Sequence, residues 1–75
     1  MRLFPNPTND GVVTITGEGL RTVTVYDAAG KRVSTMAVQR SGPFTFTLPS
    51  VAGTYHVVVS TAAGDRLLRV VRTRR

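Results

Sequence analysis

Phe44-Thr45-Phe46-Thr47-Leu48 alternates apolar and polar residues without a break, and no other stretch of the chain declares its secondary structure so clearly. A period of two places Phe44, Phe46 and Leu48 on one side of an extended backbone and both threonines on the other. Aromatic and β-branched residues suit such a half-buried pleated surface. The run reads as a strand with one face in a core.

The same period recurs on either side of it. Val13 and Ile15 share a face within residues 12–16, and Val23 and Val25 share one within 22–26, opposite Thr22, Thr24 and Tyr26. Downstream, Tyr55, Val57 and Val59 alternate with Thr54, His56, Val58 and Ser60. Because Val58 makes the second face partly apolar, this strand is expected at the centre of a sheet. Residues 33–38 form a weaker candidate. Residues 66–73 are ambiguous, since Leu67, Leu68 and Val71 also suit a helix, but the preceding turn and the Val70–Val71 pair favour a strand. With a short strand near Leu3 and Phe4, the count is six or seven.

Turn residues divide these runs. Asp27-Ala28-Ala29-Gly30 and Thr61-Ala62-Ala63-Gly64 each separate two β-runs, and both read as a type I turn closed by a left-handed glycine. The two segments align at an offset of about 34 residues, but two copies make no solenoid, which needs three or more. The link over residues 48–53 suits a crossing between two sheets, with Val51 capping it. Short strands, regular glycine turns and the lack of an amphipathic helix predict an all-β Greek-key sandwich in one domain over residues 1–75.

Composition narrows the function classes. The chain has 75 residues, no cysteine and one histidine, so no disulfide or thiolate metal site supplements a small core. Ten Lys/Arg against four Asp/Glu give a net charge of +6. Arg69, Arg72, Arg74 and Arg75 crowd the end of the chain. Nucleic acid or an anionic membrane surface would attract such charge, yet no aromatic residues interleave with these arginines as stacking platforms. A solvated basic face is the preferred reading. No run is long enough to cross a membrane, and Met1-Arg2-Leu3 leads at once into Phe4-Pro5-Asn6-Pro7 instead of an apolar leader. An export signal, if the protein is exported, is expected elsewhere.

No catalytic constellation assembles. Of Asp10, Glu18, Asp27 and Asp65, three lie beside or within glycine turns, where Asp is accounted for by turn chemistry. His56 is one position in an alternating strand. No glycine-rich phosphate loop opens a helix. The chain is therefore not expected to be an enzyme or to hold a cofactor or metal.

A series of short motifs runs in order along the chain: Phe4-Pro5-Asn6-Pro7; Val25-Tyr26-Asp27 followed by Gly30-Lys31-Arg32-Val33; Leu48 with Gly53 and Tyr55; and Arg69-Val70-Val71. Their order and spacing, from about residue 4 to 72, resemble the type A C-terminal sorting domain of the type IX secretion system. The resemblance implies an immunoglobulin-like sandwich at the C-terminus of a larger secreted protein, with its cargo N-terminal in cis. It also implies recognition by an outer-membrane translocon, processing by a sortase-like protease, and delivery through the periplasm to the cell surface or beyond. Specific nucleic-acid binding and membrane insertion are not expected. The alternatives are a basic β-domain that binds nucleic acid and an appended carbohydrate-binding or adhesive sandwich, the latter short of aromatics with two tyrosines and no tryptophan.

The motif residues also have plain structural readings. Pro5 and Pro7 fix φ and remove two donors, either as a stiff lead-in to the first strand or as an exposed boundary between linker and signal. Gly30 and Gly53 read as turn glycines. Tyr55 is expected in the core with its hydroxyl on a backbone group. Tyr26, on the face opposite Val23 and Val25, either completes a second packed layer or joins a docking surface, with packing preferred. Arg69, together with Arg66 and Arg72, is the candidate for polar recognition, against a solvated strand face.

Overall fold

The computed structural model describes residues 1–73; Arg74 and Arg75, the end of the basic cluster, lie outside the described residues. Seven strands follow in order: β1 (Arg2–Phe4), β2 (Val12–Thr16), β3 (Leu20–Tyr26), β4 (Arg32–Arg40), β5 (Phe44–Thr47), β6 (Gly53–Thr61) and β7 (Gly64–Arg72). Residues 66–72 of the ambiguous 66–73 segment are strand, within Gly64–Arg72, and β6 is central as its two apolar faces predict. The strands form a three-stranded sheet, β1-β2-β5, and a four-stranded sheet, β4-β3-β6-β7. Every pairing within the two sheets is antiparallel.

The period-two residues face one another between the sheets. Val13, Ile15 and Phe46 come from the first sheet, and Val23, Val25, Val57, Val59 and Val70 from the second, in one continuous core. Each fully buried valine contributes about 1.5–3 kcal/mol, which is why a cysteine-free chain of this size holds two sheets together. Leu48 ends the β5 alternation and is buried just past the strand.

The β3–β4 turn follows the sequence reading. Gly30 N–H donates to the Asp27 carbonyl at 3.0 Å, and Asp27 N–H to the Lys31 carbonyl at 2.9 Å. Gly30 has φ 84°, a conformation in which a Cβ would crowd the backbone. The β6–β7 turn is tighter than expected. Thr61 pairs directly with Gly64, leaving only Ala62 and Ala63 between the strands. The Thr61 hydroxyl, donating to the Gly64 carbonyl at 2.7 Å, closes it.

Three local expectations are corrected. The link over residues 48–53 does cross from β5 in one sheet to β6 in the other, but Val51 does not cap it, being 70% exposed. Gly53 opens strand β6, paired with Arg72, instead of occupying a turn. The Pro5-Asn6-Pro7 segment follows the first strand instead of leading into it. Arg2–Phe4 already pairs with Thr14–Thr16 of β2, so these prolines lie inside the domain and mark no boundary between linker and signal.

Candidate functional site

Strand β7 sorts the C-terminal arginines by parity. Val70 is fully buried against Tyr55 of β6, so Arg66, Leu68 and Arg72 share its core-side face. Asp65, Leu67, Arg69 and Val71 lie on the outer face. Arg66, Arg69 and Arg72 therefore form no single patch. Arg72 turns inward at the end of the sandwich, where its Nη1 donates to the Leu48 carbonyl at 3.2 Å and to the Pro49 carbonyl at 3.0 Å. Arg72 is a structural cation, and Arg69 is left exposed on the outer face.

Asn6 sets the position of Arg69. Its Nδ2 donates to the Arg69 carbonyl at 2.9 Å, and its Oδ1 accepts from Val71 N–H at 3.1 Å. One carboxamide thus supplies the donor and acceptor that a neighbouring strand would offer along the β7 edge. Thr8 continues the pairing: its N–H donates to the Val71 carbonyl at 2.9 Å, and its carbonyl accepts from Thr73 N–H at 2.8 Å. Pro5 and Pro7 flank Asn6 and bring no donors of their own. The motif is a clasp that fastens the N-terminal segment to the terminal strand.

The base of the clasp holds the Asp10 carboxyl. The Thr8 hydroxyl lies 3.0 Å from Asp10 Oδ1 and 3.0 Å from the Val12 carbonyl, with one hydrogen to share. Asp10 Oδ1 also accepts from Val12 N–H at 2.9 Å. That backbone donor first, and the Thr8 hydroxyl second, hold the Asp10 carboxyl below its ordinary value of 3.8. The bonds favour the charged carboxylate.

On the outer face of the four-stranded sheet, register places Tyr26 opposite Arg32 of β4 and His56 of β6, and His56 opposite Arg69. Arg32, Tyr26, His56 and Arg69 thus form one row across four strands spaced about 4.8 Å apart. The next row runs Thr35, Thr24, Val58 and Leu67. Tyr26, His56 and Val58 are half-buried, and Leu67 is 67% exposed. Leu67 therefore lies beside Arg69 on β7, while Arg32 stands three strands away on the opposite edge of the sheet.

The remaining motif residues meet at one end of the sandwich. Asp27 Oδ1 accepts from the N–H groups of Ala29 at 3.0 Å and Lys31 at 2.9 Å, so its carboxylate is occupied by its own turn. Asp27, Gly53 and Tyr55 line one cleft of about 230 Å³. Tyr55 is 4% exposed, and its hydroxyl donates to the Val51 carbonyl at 2.6 Å, as the sequence predicts. The structure brings Asp27 together with Gly53 and Tyr55, and joins Asn6 to Arg69. The sequence reading passed over His56 and Leu67 as members of this face, although the parity of β6 and β7 carries that signal.

Among the described residues no group of three or more His, Cys, Asp or Glu is placed to hold a metal ion. Phe44 and Phe46 stack on each other, centroids 6.0 Å apart, in β5 of the three-stranded sheet, away from the outer face that carries Arg69.

Comparison with known proteins adds one finding. The profile of the secretion system C-terminal sorting domain matches residues 2–71, a span that includes β1 ahead of the prolines. No curated protein and no solved structure gives a match. The ordered motifs, the two-sheet fold and a match over nearly the whole chain agree. The chain belongs to the secretion system C-terminal sorting domain family, and its role is that of a C-terminal sorting signal for type IX secretion.

Proposed function

We propose that the type IX machinery reads this domain on the outer face of its four-stranded sheet, through Arg69 and Leu67, with His56, Tyr26 and Arg32 in the row that Arg69 ends. The observation that carries the proposal is the parity of β7. Of the described arginines on that strand, Arg69 alone stands on the outer face, and the Asn6 clasp fixes its backbone. A carboxylate on the receptor would meet Arg69 in a charge-assisted pair, and Leu67 would bury an exposed side chain on contact. The partners in this reading are the outer-membrane translocon and a sortase-like protease. The domain is the C-terminal piece of a larger exported protein whose cargo precedes it.

Fusion behind a periplasmic reporter in a host with a type IX system tests the proposal. The intact domain is expected to carry the reporter to the cell surface or the medium. Leu67→Ser, an exposed change of small stability cost, is expected to retain the folded reporter in the periplasm. Normal export of the Leu67→Ser fusion would remove this face as the one that is read, while leaving the sorting role intact.

A further inference from the structure

The end of the sandwich opposite the Asp27 turn carries a cleft of about 480 Å³, whose lining includes Arg21, Thr22, Gln39, Arg40 and Ser41. No lining residue is acidic. Glu18 precedes Gly19 but does not line the cleft. The strands are irregular here on both sides of Arg21. Leu20 and Thr22 pair with Arg40 and Ala37 of β4, so Val38 and Gln39 together oppose Arg21. On the β6 side, Leu20 and Thr22 pair with the consecutive residues Thr61 and Ser60, so Arg21 is itself an extra residue. Bulges of this kind re-aim side chains and concentrate beside binding sites.

Gln39 has φ 50° and is the described non-glycine residue with positive φ. A left-handed glutamine is strained, and glycine would relieve it at no steric cost. Such strain collects at ligand sites. Arg40 lines the cleft, and its guanidinium lies 5.9 Å from the centroid of the Phe44 ring at the rim. Ser41 Oγ accepts from Gly19 N–H at 3.0 Å and keeps its hydroxyl hydrogen to offer.

From this arrangement we infer that the Arg21–Arg40 cleft binds a small oxyanion carried on a hydroxyl-rich body, such as a sugar phosphate or a uronic acid. Two guanidinium groups take the phosphate or carboxylate oxygens. The Gln39 amide and the Thr22 and Ser41 hydroxyls take hydroxyl groups. The volume lies in the range of small-ligand clefts and exceeds what a bare ion fills. The inference stands independently of how the sorting machinery reads the domain.

Titration of the ¹⁵N-labelled chain with glucose 6-phosphate, glucuronate, glucose and inorganic phosphate tests it. Saturable amide shifts are expected at Gly19, Arg21 and residues 39–41 with the two anionic sugars and not with glucose. Whichever anionic sugar binds more tightly identifies the oxyanion. Arg21→Gln and Arg40→Gln should each weaken binding about tenfold or more, and Arg69→Gln should leave it unchanged. Gln39→Gly, which keeps the backbone and removes the amide, should weaken binding without lowering the melting temperature. Non-saturable shifts spread over every arginine would overturn the inference as a diffuse ion atmosphere. Equal affinity for inorganic phosphate alone, or unchanged binding by Arg21→Gln, would overturn it too.

Discussion

The guanidinium of Arg72 occupies the volume that a Cβ on Gly11 would fill, although the two residues lie near opposite ends of the chain. Gly11 has φ 84°, so a side chain there meets both backbone strain and a displaced arginine. The displaced arginine gives up the Leu48 and Pro49 carbonyls, which follow β5 and begin the crossing to β6. Gly11→Ala is expected to lose at least about 2 kcal/mol in urea unfolding, from the left-handed penalty together with the charged hydrogen bonds. The effect should be non-additive with Arg72→Ala, because both substitutions break one contact. Additive losses in the double-mutant cycle would show that the two residues are not coupled.

The Asn6 clasp predicts a change specific to the carboxamide. Asn6→Ala removes two hydrogen bonds at an exposed edge, and the expected loss is about 1 kcal/mol. Asn6→Asp should cost more, although the residue is nearly isosteric. It keeps the acceptor for Val71 N–H but sets a second acceptor against the Arg69 carbonyl. Amide exchange at Val71 reads the outcome directly. Equal protection in Asn6→Asp and the parent would show that Asn6 does not hold this edge.

Acid should act on the other half of the clasp. The folded-state pKa of Asp10 is depressed, first by Val12 N–H and then by the Thr8 hydroxyl. A depressed carboxyl stabilises the fold above its unfolded-state value and loses that contribution as pH falls through the folded-state value. The Asp10 contribution is therefore intact above about pH 4 and disappears below it. Asp10→Asn should flatten the fall in stability on the acid side while lowering stability at pH 7. An acid limb as steep in Asp10→Asn as in the parent would assign that limb to other groups.

Much of the fold was legible because each core strand carries its own period. Val13 with Ile15, Val23 with Val25, and Tyr55 with Val57 and Val59 each name a face without reference to any other strand. The central place of β6 followed from Val58, which makes the second face partly apolar. What escaped depends on pairing between distant segments. Nothing local marks Asn6 as an acceptor for Val71 N–H, and the prolines around it suggested a boundary because their N–H groups are missing whatever lies beside them. The expectation for Val51 failed for a similar reason: only its carbonyl has a partner in Tyr55, and an apolar side chain gives no sign of that. The arginines of β7 were named together from their closeness in sequence. In a strand, parity alone separates Arg69 from Arg66 and Arg72.

That separation makes the arginines of β7 a test of recognition against stability. Arg72 bonds two backbone carbonyls inside the fold, whereas Arg69 projects from the outer sheet face with its backbone held independently by Asn6. Arg72→Ala is expected to lower the melting temperature of the isolated domain, since hydrogen bonds to charged groups contribute about 1.5–3 kcal/mol each. A reporter fused to that variant should lose export in proportion to the unfolding. Arg69→Ala should leave the melting temperature within about a degree or two, as an exposed strand substitution does, yet reduce export of the folded reporter. Arg69→Lys divides the recognition further: a receptor that needs only a positive charge will accept lysine, and one that engages the planar guanidinium in two parallel bonds will not. If Arg69→Ala exports like the parent while Arg72→Ala fails, the C-terminal arginines serve folding alone. Recognition would then have to be sought at the Asp27–Tyr55 end of the sandwich.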